Sequence, residues 1–183
     1  MAAMKRIPGF STLLLLSFLS ELSFGRTLKF NNCEVSVHTH ELRRHYSEMR
    51  SIAISEDTEI GVMILNRSTM TSLQVDQTCC YLRLILRFYT ERVFRNYASS
   101  QPRYSSALAN AFVTVRRNIN KCHCLCEEDT QRAMDSLNAE FDKLSINKAA
   151  KKAVAEMDAL LDWLEELEES SAAAATSDLT LTA

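Results

Sequence analysis

The fold is decided by residues 79–97, CCYLRLILRFYTERVFRNY. Apolar side chains recur there every three or four residues, which is the spacing that places them on one face of a helix. They are Leu82, Ile85, Leu86, Tyr89, Val93 and Tyr97, and the face is widened by Leu84, Phe88 and Phe94. A helix that is apolar over so much of its circumference is predicted to lie at the centre of a helical bundle.

The segments on both sides of this stretch also have helical spacing. A first helix is predicted from Val35, with apolar residues at positions 35, 42, 46, 49 and 52. Residues 53–78 predict a long connection with at most one short helix. Pro102 suits the first turn of a helix that runs to Cys122. Two further helices follow, over residues 127–144 and over a last segment with apolar residues from 154 to 167, so the pattern is that of an all-α bundle.

The start of the chain predicts a secretory signal peptide over residues 1–25. Basic Lys5 and Arg6 precede the apolar run Ile7–Leu19, and small residues lie near Gly25, where cleavage would occur. The 13-residue run is shorter than the roughly 20 residues that span a bilayer. We therefore expect a secreted, extracellular protein without membrane insertion.

Glycine and proline almost disappear once the signal is removed, because only Gly61 and Pro102 remain. Turn-rich β-sandwiches and barrels depend on glycine in their hairpins, and phosphate-binding loops need several glycines close together. The composition argues against both classes. It favours a helical domain over residues 26–169, followed by a Ser/Ala/Thr-rich tail over residues 170–183 that is predicted to be disordered.

Charge is distributed unevenly along the chain. Residues 79–121 contain eight basic side chains and one acidic one, whereas residues 127–169 contain thirteen acidic and five basic ones. The simplest interpretation is that the two segments are neighbours and neutralise each other. The functional alternative is a basic face for sulfated glycans or for an acidic receptor patch, where clustered charge speeds association.

Six cysteines remain after removal of the signal, and an even number predicts three disulfides in a secreted chain. They are Cys33, Cys79, Cys80, Cys122, Cys124 and Cys126. Adjacent cysteines rarely pair with each other, so Cys79 and Cys80 each need a distant partner, and the cluster at 122–126 offers three. A zinc site from that cluster and His123 is the alternative. Structural zinc prefers wider cysteine spacing, so we expect no metal.

No catalytic constellation stands out in the sequence. The histidines miss the spacing that directs two imidazoles at one metal, and there is no Gly-x-Ser-x-Gly motif. The acidic run at residues 165–169 is typical of a solvated helix end. We therefore expect neither an enzyme nor a bound cofactor, and no nucleic-acid partner.

The long connection contains an N-glycosylation sequon, Asn66-Arg67-Ser68. A surface loop of a secreted protein is a suitable place for a glycan. Asn66 is therefore a candidate glycosylation site.

Three stretches carry a family resemblance: CCYLRLILRFYTERVFRNY at 79–97, LANAFVTVRRNINKCHC at 108–124 and AVAEMDALLDWLEELE at 153–168. They closely resemble the interleukin-20 subfamily of the interleukin-10 family of helical cytokines. The vicinal cysteines ahead of Leu-Arg, with Arg-Val-Phe-x-Asn-Tyr after them, point to the interleukin-19, interleukin-20 and interleukin-24 group. The resemblance covers roughly residues 33–169.

The resemblance implies a monomeric bundle of six or seven helices that bridges two chains of a class II cytokine receptor of interleukin-20 receptor type. Janus kinases and STAT transcription factors would be activated in turn. It also implies disulfides from Cys33 to Cys122, Cys79 to Cys124 and Cys80 to Cys126. The family usually separates the first of its last three cysteines from the other two. Here they are compressed, which leaves open which partner Cys124 and Cys126 each take.

By resemblance, one receptor face combines the first helix, the 53–78 connection and the last helix, and another uses the first and third long helices. The predicted contacts are exposed charged residues: Arg43, Arg44, Glu48, Arg50, Arg67, Lys151 and Lys152. Ordinary solvated charge is the alternative for each of them. The alternative function is lipid binding by a saposin-type protein. That class also has six cysteines and amphipathic helices, but its cysteines lie in paired ends that this chain lacks.

Overall fold

A computed structural model describes residues 26–30 and 33–181 of the chain. The predicted signal peptide, residues 1–25, lies outside the described residues. Among those that are described, no helix combines the length and the apolar character needed to cross a membrane.

The described chain begins with a β-hairpin that the sequence did not predict. Strand β1 (Arg26–Phe30) pairs antiparallel with strand β2 (Cys33–Val37). Leu28, Val35 and Val37 are fully buried, and the alternation of buried and exposed residues along β2 is that of a strand with one face on the core. Val35 therefore belongs to β2, and its predicted place on the first helix is wrong.

Helices make up most of the remainder, so the prediction of a helical bundle is confirmed. They are α1 (Thr39–Glu56), α2 (Arg67–Thr71), α3 (Val75–Phe88), α4 (Phe94–Asn96), α5 (Pro102–Ile119), α6 (Glu128–Asp142), α7 (Ile146–Ala155) and α8 (Met157–Leu181). A π-helical turn, Tyr89–Val93, joins α3 to α4. Residues 75–96 thus form one continuous rod. With α3, the π-helical turn and α4 counted as one helix, the described residues form seven helices.

This rod lies at the centre of the bundle, as its apolar circumference predicts. Leu82, Ile85, Leu86 and Tyr89 have no exposed surface. Three aromatic pairs join the rod to α6, α5 and α8: Phe88–Phe141, Tyr89–Phe112 and Tyr81–Trp163, with ring centroids 5.1, 5.3 and 5.7 Å apart. The Tyr89 hydroxyl donates to the Ala153 carbonyl of α7 at 2.8 Å, which satisfies both buried polar groups.

Helix α8 continues through most of the segment that was expected to be disordered. Residues 172–175 are alanines, and alanine has the highest helix propensity of all residues. Ser171 also contacts the hairpin, because the Lys29 backbone N–H donates to its Oγ at 3.3 Å. The alanine-rich composition that predicts disorder from residue 170 onward also favours a helix, and here it extends α8.

Candidate functional site

Three disulfides fasten the hairpin and α3 to the segment that follows α5. They join Cys33 to Cys122, Cys79 to Cys124 and Cys80 to Cys126, the pairs that the resemblance implies. All six cysteines after the predicted signal are thereby bonded, which leaves none of them as a thiolate ligand for the zinc alternative. The part of the chain that the structure describes also holds no group of three His, Cys, Asp or Glu residues arranged for a metal ion.

The first candidate surface lies where α1 and α2 meet α8, and we call it the ionic face. Arg43 of α1 is at its centre, with Nη2 2.7 Å from Asp162 Oδ1 and 2.8 Å from Glu165 Oε2, while its Nε donates to Glu165 Oε1 at 3.0 Å. Partial burial disfavours the charge, but the hydrogen bonds to Glu165 and Asp162 outweigh it and raise the pKa of Arg43. A forked guanidinium suits this arrangement because it bonds two carboxylates at once.

Two more arginines complete the ionic face. Arg50, two turns after Arg43 on α1, donates through Nε to Asp158 Oδ2 at 2.6 Å. Arg67 of α2 bonds Glu166 and also lies 3.3 Å from Asp162. The acidic residues of α8 recur at the spacing of one helical face, which is why three arginines from other elements can reach them.

The sequence predicts that the acidic run near residues 165–169 is a solvated helix end, and the structure shows that it is not. Glu165 and Glu166 form ion pairs with the arginines of the ionic face. Glu168 is buried, and its Oε2 accepts a hydrogen bond of 2.6 Å from the Thr39 hydroxyl at the start of α1. These contacts fasten α8 to α1 along much of its length.

The connection from α1 to α2 is anchored on the break between α7 and α8. Glu156 sits at this break, and its Oε2 accepts the backbone N–H groups of Ile64 and Leu65 at 2.8 and 2.9 Å. Its Oε1 lies 3.2 Å from Nζ of Lys152, a lysine whose side chain is only 9% exposed and which also bonds Asp57 at 2.9 Å. The sequence predicted neither the helix break nor this anchor, since a lone glutamate carries no pattern.

The seven predicted receptor contacts divide into two groups. Arg43, Arg50, Arg67, Lys151 and Lys152 all form ion pairs within the molecule. Arg44 and Glu48 are exposed, and neither side chain pairs with another of the described residues. They lie one turn apart on the solvent side of α1, so the structure separates them from the ionic face.

Asn66 is exposed at the start of α2 and acts as its N-cap. Its Oδ1 accepts hydrogen bonds from the Ser68 backbone N–H at 2.9 Å and from the Ser68 hydroxyl at 2.7 Å. The cap occupies the side-chain oxygen. The amide nitrogen, to which a glycan would be joined, is left for other contacts.

The second candidate surface is basic and is formed by the outer sides of α3, α4 and α5 and the residues just after α5. We call it the basic face; its members are Arg83, Arg87, Arg95, Arg103, Arg116, Arg117 and Lys121. The expected neutralisation by residues 127–169 is wrong, because only one ion pair, Arg92 to Asp142 at 2.5 Å, joins the two segments among the described residues. The acidic residues of α8 pair with α1 and α2 instead.

Comparisons with known proteins fit this architecture. The family model described as Interleukin 10 matches residues 22–168. Mouse interleukin-20 is 30% identical over 150 residues, which are 78% of this chain and 85% of that protein. Human interleukin-19 is 28% identical over 142 residues, 72% of this chain and 79% of that protein.

Solved structures agree with the sequence relatives. The crystal structure of human interleukin-19 superposes with a TM-score of 0.67 at 26% identity, covering 73% of this chain and 90% of the other. An edited human interleukin 24 also gives a TM-score of 0.67, at 25% identity, covering 76% of this chain and 97% of the other. Similarity of this extent to interleukins rules out the saposin-type alternative. The relatives are cytokines and not enzymes, as the sequence predicts for this chain. The chain belongs to the interleukin-10 family of cytokines.

Proposed function

We propose that the chain is a secreted cytokine that binds and pairs two chains of a class II cytokine receptor of interleukin-20 receptor type, and so activates Janus kinases and STAT transcription factors. The observation that carries the proposal is the family match over residues 22–168. A cytokine of this kind performs no chemistry itself. As a monomer, it would bury a different receptor ectodomain on each of two surfaces and hold the attached kinases close together.

The proposal includes secretion through cleavage of residues 1–25. Three disulfides support it, because such bonds form and persist in the oxidising secretory pathway and outside the cell. Asn66 would then carry an N-linked glycan. Its exposure at the start of α2 supports that assignment.

We assign direct receptor contact first to Arg44 and Glu48. A side chain with no partner among the described residues can bind a receptor group without breaking one of their bonds, whereas Arg43 would first have to leave Asp162 and Glu165. Arg43, Arg50, Arg67, Lys151 and Lys152 would instead fix the shape of the surface by holding α1, α2, α7 and α8 together. Lys152 in particular is too buried to reach a partner.

The test is STAT phosphorylation in cells that express each pair of interleukin-20-type receptor chains, with parental cells as the control. The oxidised protein from residue 26 onward should signal through at least one pair. The double variant Arg44→Ala/Glu48→Ala should lose about tenfold in potency, the effect of a loss of about 1.4 kcal/mol in binding. Glu128→Ala, an exposed change on α6, should keep full potency.

Thermal unfolding of the variants separates lost contact from lost structure. The double variant should unfold at the same temperature as the parent protein. Absence of STAT phosphorylation with every receptor pair, from protein shown to be folded and oxidised, would refute the proposed function.

A further inference from the structure

We propose that the basic face is a binding site for sulfated glycans of the cell surface or extracellular matrix. Seven basic side chains lie on it, and Glu91 is the only acidic residue in the 79–121 segment that forms it. The proposal depends on the extracellular location proposed above but not on receptor binding. It concerns a surface that the receptor assignment of Arg44 and Glu48 does not use.

Among the described residues, Glu91 is the only acidic one that forms an ion pair with a member of the basic face. Several acidic residues elsewhere in the bundle are engaged with other partners. Asp158, Asp162, Glu165 and Glu166 bond the arginines of the ionic face. Glu140 of α6 bonds Lys143, the residue just after that helix. What remains on the basic face is four exposed cations that form no ion pair with any described residue: Arg95, Arg103, Arg117 and Lys121.

The other cations of the face are held close to one another across the two helices. Arg116 of α5 bonds Thr90 at 2.8 Å and Glu91 at 2.5 Å. Arg87 of α3 bonds the other oxygen of Glu91 at 2.9 Å, so two guanidinium groups converge on one carboxylate. The local excess is still one positive charge, and the side chain of Arg87 is 65% exposed.

The face continues from this point as a strip rather than as a compact patch. Arg83 lies one turn before Arg87 on α3, and its Nη2 donates to the Cys124 carbonyl at 3.3 Å, which places it beside the loop after α5. The distance along the rod from Arg83 to Arg95 is about 18 Å at 1.5 Å per residue. A row of cations of this length suits a linear polyanion, which can contact several of them at once.

The chemistry of the face favours a sulfated glycan over other polyanions. Proteins that bind single-stranded nucleic acid place exposed aromatic rings among the cations, and membrane-surface helices place large apolar residues there. No aromatic ring of residues 79–121 is exposed, and the exposed large apolar residues near the face are three scattered ones: Val75 at the start of α3, Val113 of α5 and Leu125 in the loop after α5. A guanidinium group can donate two parallel hydrogen bonds to one oxyanion. A row of such groups therefore suits sulfate groups repeated along a sugar chain.

The experiment is retention of the folded, oxidised protein on immobilised heparin, with the salt concentration that elutes it as the readout. Elution should require more than about 150 mM salt, and affinity should fall steeply as salt rises because each cation that binds releases counterions. Arg117→Ser/Lys121→Ser removes two exposed cations without an ion partner, so folding should be unchanged and heparin affinity should fall at least about tenfold. Glu91→Gln removes the one negative charge of the face and should raise the elution salt.

A control that removes the same charge is Lys143→Ser/Lys148→Ser, which takes away two exposed cations outside the basic face. It should elute with the parent protein; equal weakening of both double variants would mean that only net charge matters and would overturn the site. Failure to bind heparin at physiological salt, or equal binding of chemically desulfated heparin, would also overturn it.

Tighter binding to single-stranded DNA or to phosphatidylserine vesicles would assign the face to another ligand. STAT phosphorylation in cells without sulfated glycans tests the receptor proposal separately.

Discussion

Arg43 and Arg44 are neighbours in the sequence, but their environments are opposite. The guanidinium of Arg43 is surrounded by Asp158, Asp162 and Glu165, whereas the side chain of Arg44 is exposed and forms no ion pair with the described residues. A helix turns about 100° per residue, so adjacent positions differ in direction by more than a quarter of a turn. This difference makes the two arginines a matched pair for experiment.

We expect Arg43→Ala to lower the free energy of unfolding by about 1–2 kcal/mol, because it removes several charge-assisted hydrogen bonds and leaves three carboxylates close together. Arg43→Lys should recover only part of this loss, since an ammonium group lacks the forked geometry. Urea denaturation measures the effect, and added salt should reduce it. Arg44→Ala should stay within about 0.5 kcal/mol of the parent protein; equal stability of the two alanine variants would contradict the structure.

Glu91 gives a prediction about pH. Its hydrogen bonds to Arg87, and then to Arg116, lower the pKa of this carboxyl below its ordinary value. A lowered pKa in the folded state adds stability above the unfolded value, about 4.3, and that stability is lost as the pH falls through the folded value. The parent protein should therefore unfold at a higher temperature than Glu91→Gln at pH 6, with the difference shrinking below about pH 4. A difference that grows on acidification would contradict this.

Among the elements, the long connection between α1 and α2 depends most on one side chain. Glu156 bonds two successive backbone N–H groups, those of Ile64 and Leu65, and also faces the buried Lys152. Backbone groups that lose their partner and a buried cation that loses one of two carboxylates each carry a desolvation cost. This contact holds an otherwise irregular segment against the bundle.

Glu156→Ala should therefore lower the free energy of unfolding by about 3 kcal/mol. It should also remove the protection of the Ile64 and Leu65 amides in hydrogen exchange. Glu156→Gln keeps an acceptor for the backbone but removes the charge, so it should retain part of that protection and lose less stability. Unchanged exchange at both amides in the alanine variant would show that Glu156 does not hold the connection.

The sequence predicted the helices well because their apolar residues follow a period that local reasoning can detect. Pro102 was correctly placed in the first turn of α5. The hairpin was missed because five-residue strands are too short for a clear period, and Val35 fits the helical spacing by coincidence. The π-helical turn was missed because its apolar residues fit the spacing of an ordinary α-helix; within it Tyr89 bonds α7 and Thr90 bonds α5.

For the molecule as a whole, total charge and charge along the chain were poor guides to the surface. The basic and acidic segments lie in one bundle, yet the acidic side chains of α8 face α1 and α2 instead of α3 and α5. Tertiary packing decides which helices become neighbours, and charge counted along the sequence does not reveal that packing. The outcome is an ionic face whose charges are paired and a separate basic face. The charge excess of residues 79–121 indicated a basic face only as an alternative, and the fold is needed to see that the acidic residues of α8 do not pair with it.

The three disulfides connect elements that are distant in the sequence, so we expect them to contribute strongly to global stability. Cys33 and Cys122 are 89 residues apart, whereas Cys80 and Cys126 are 46 apart. Loop-closure entropy predicts about 4–5 kcal/mol for the first bond and about 4 kcal/mol for the second. These are large fractions of the roughly 5–15 kcal/mol by which a domain is ordinarily stable.

Replacing either pair by serine should lower the urea midpoint substantially, with Cys33→Ser/Cys122→Ser the more damaging. In that variant the amides of β1 and β2 should exchange before those of α3, because the hairpin loses its covalent link to the bundle while the central rod keeps both of its own. Equal protection of hairpin and rod in this variant would show that burial of Leu28, Val35 and Val37 alone is enough to hold the hairpin.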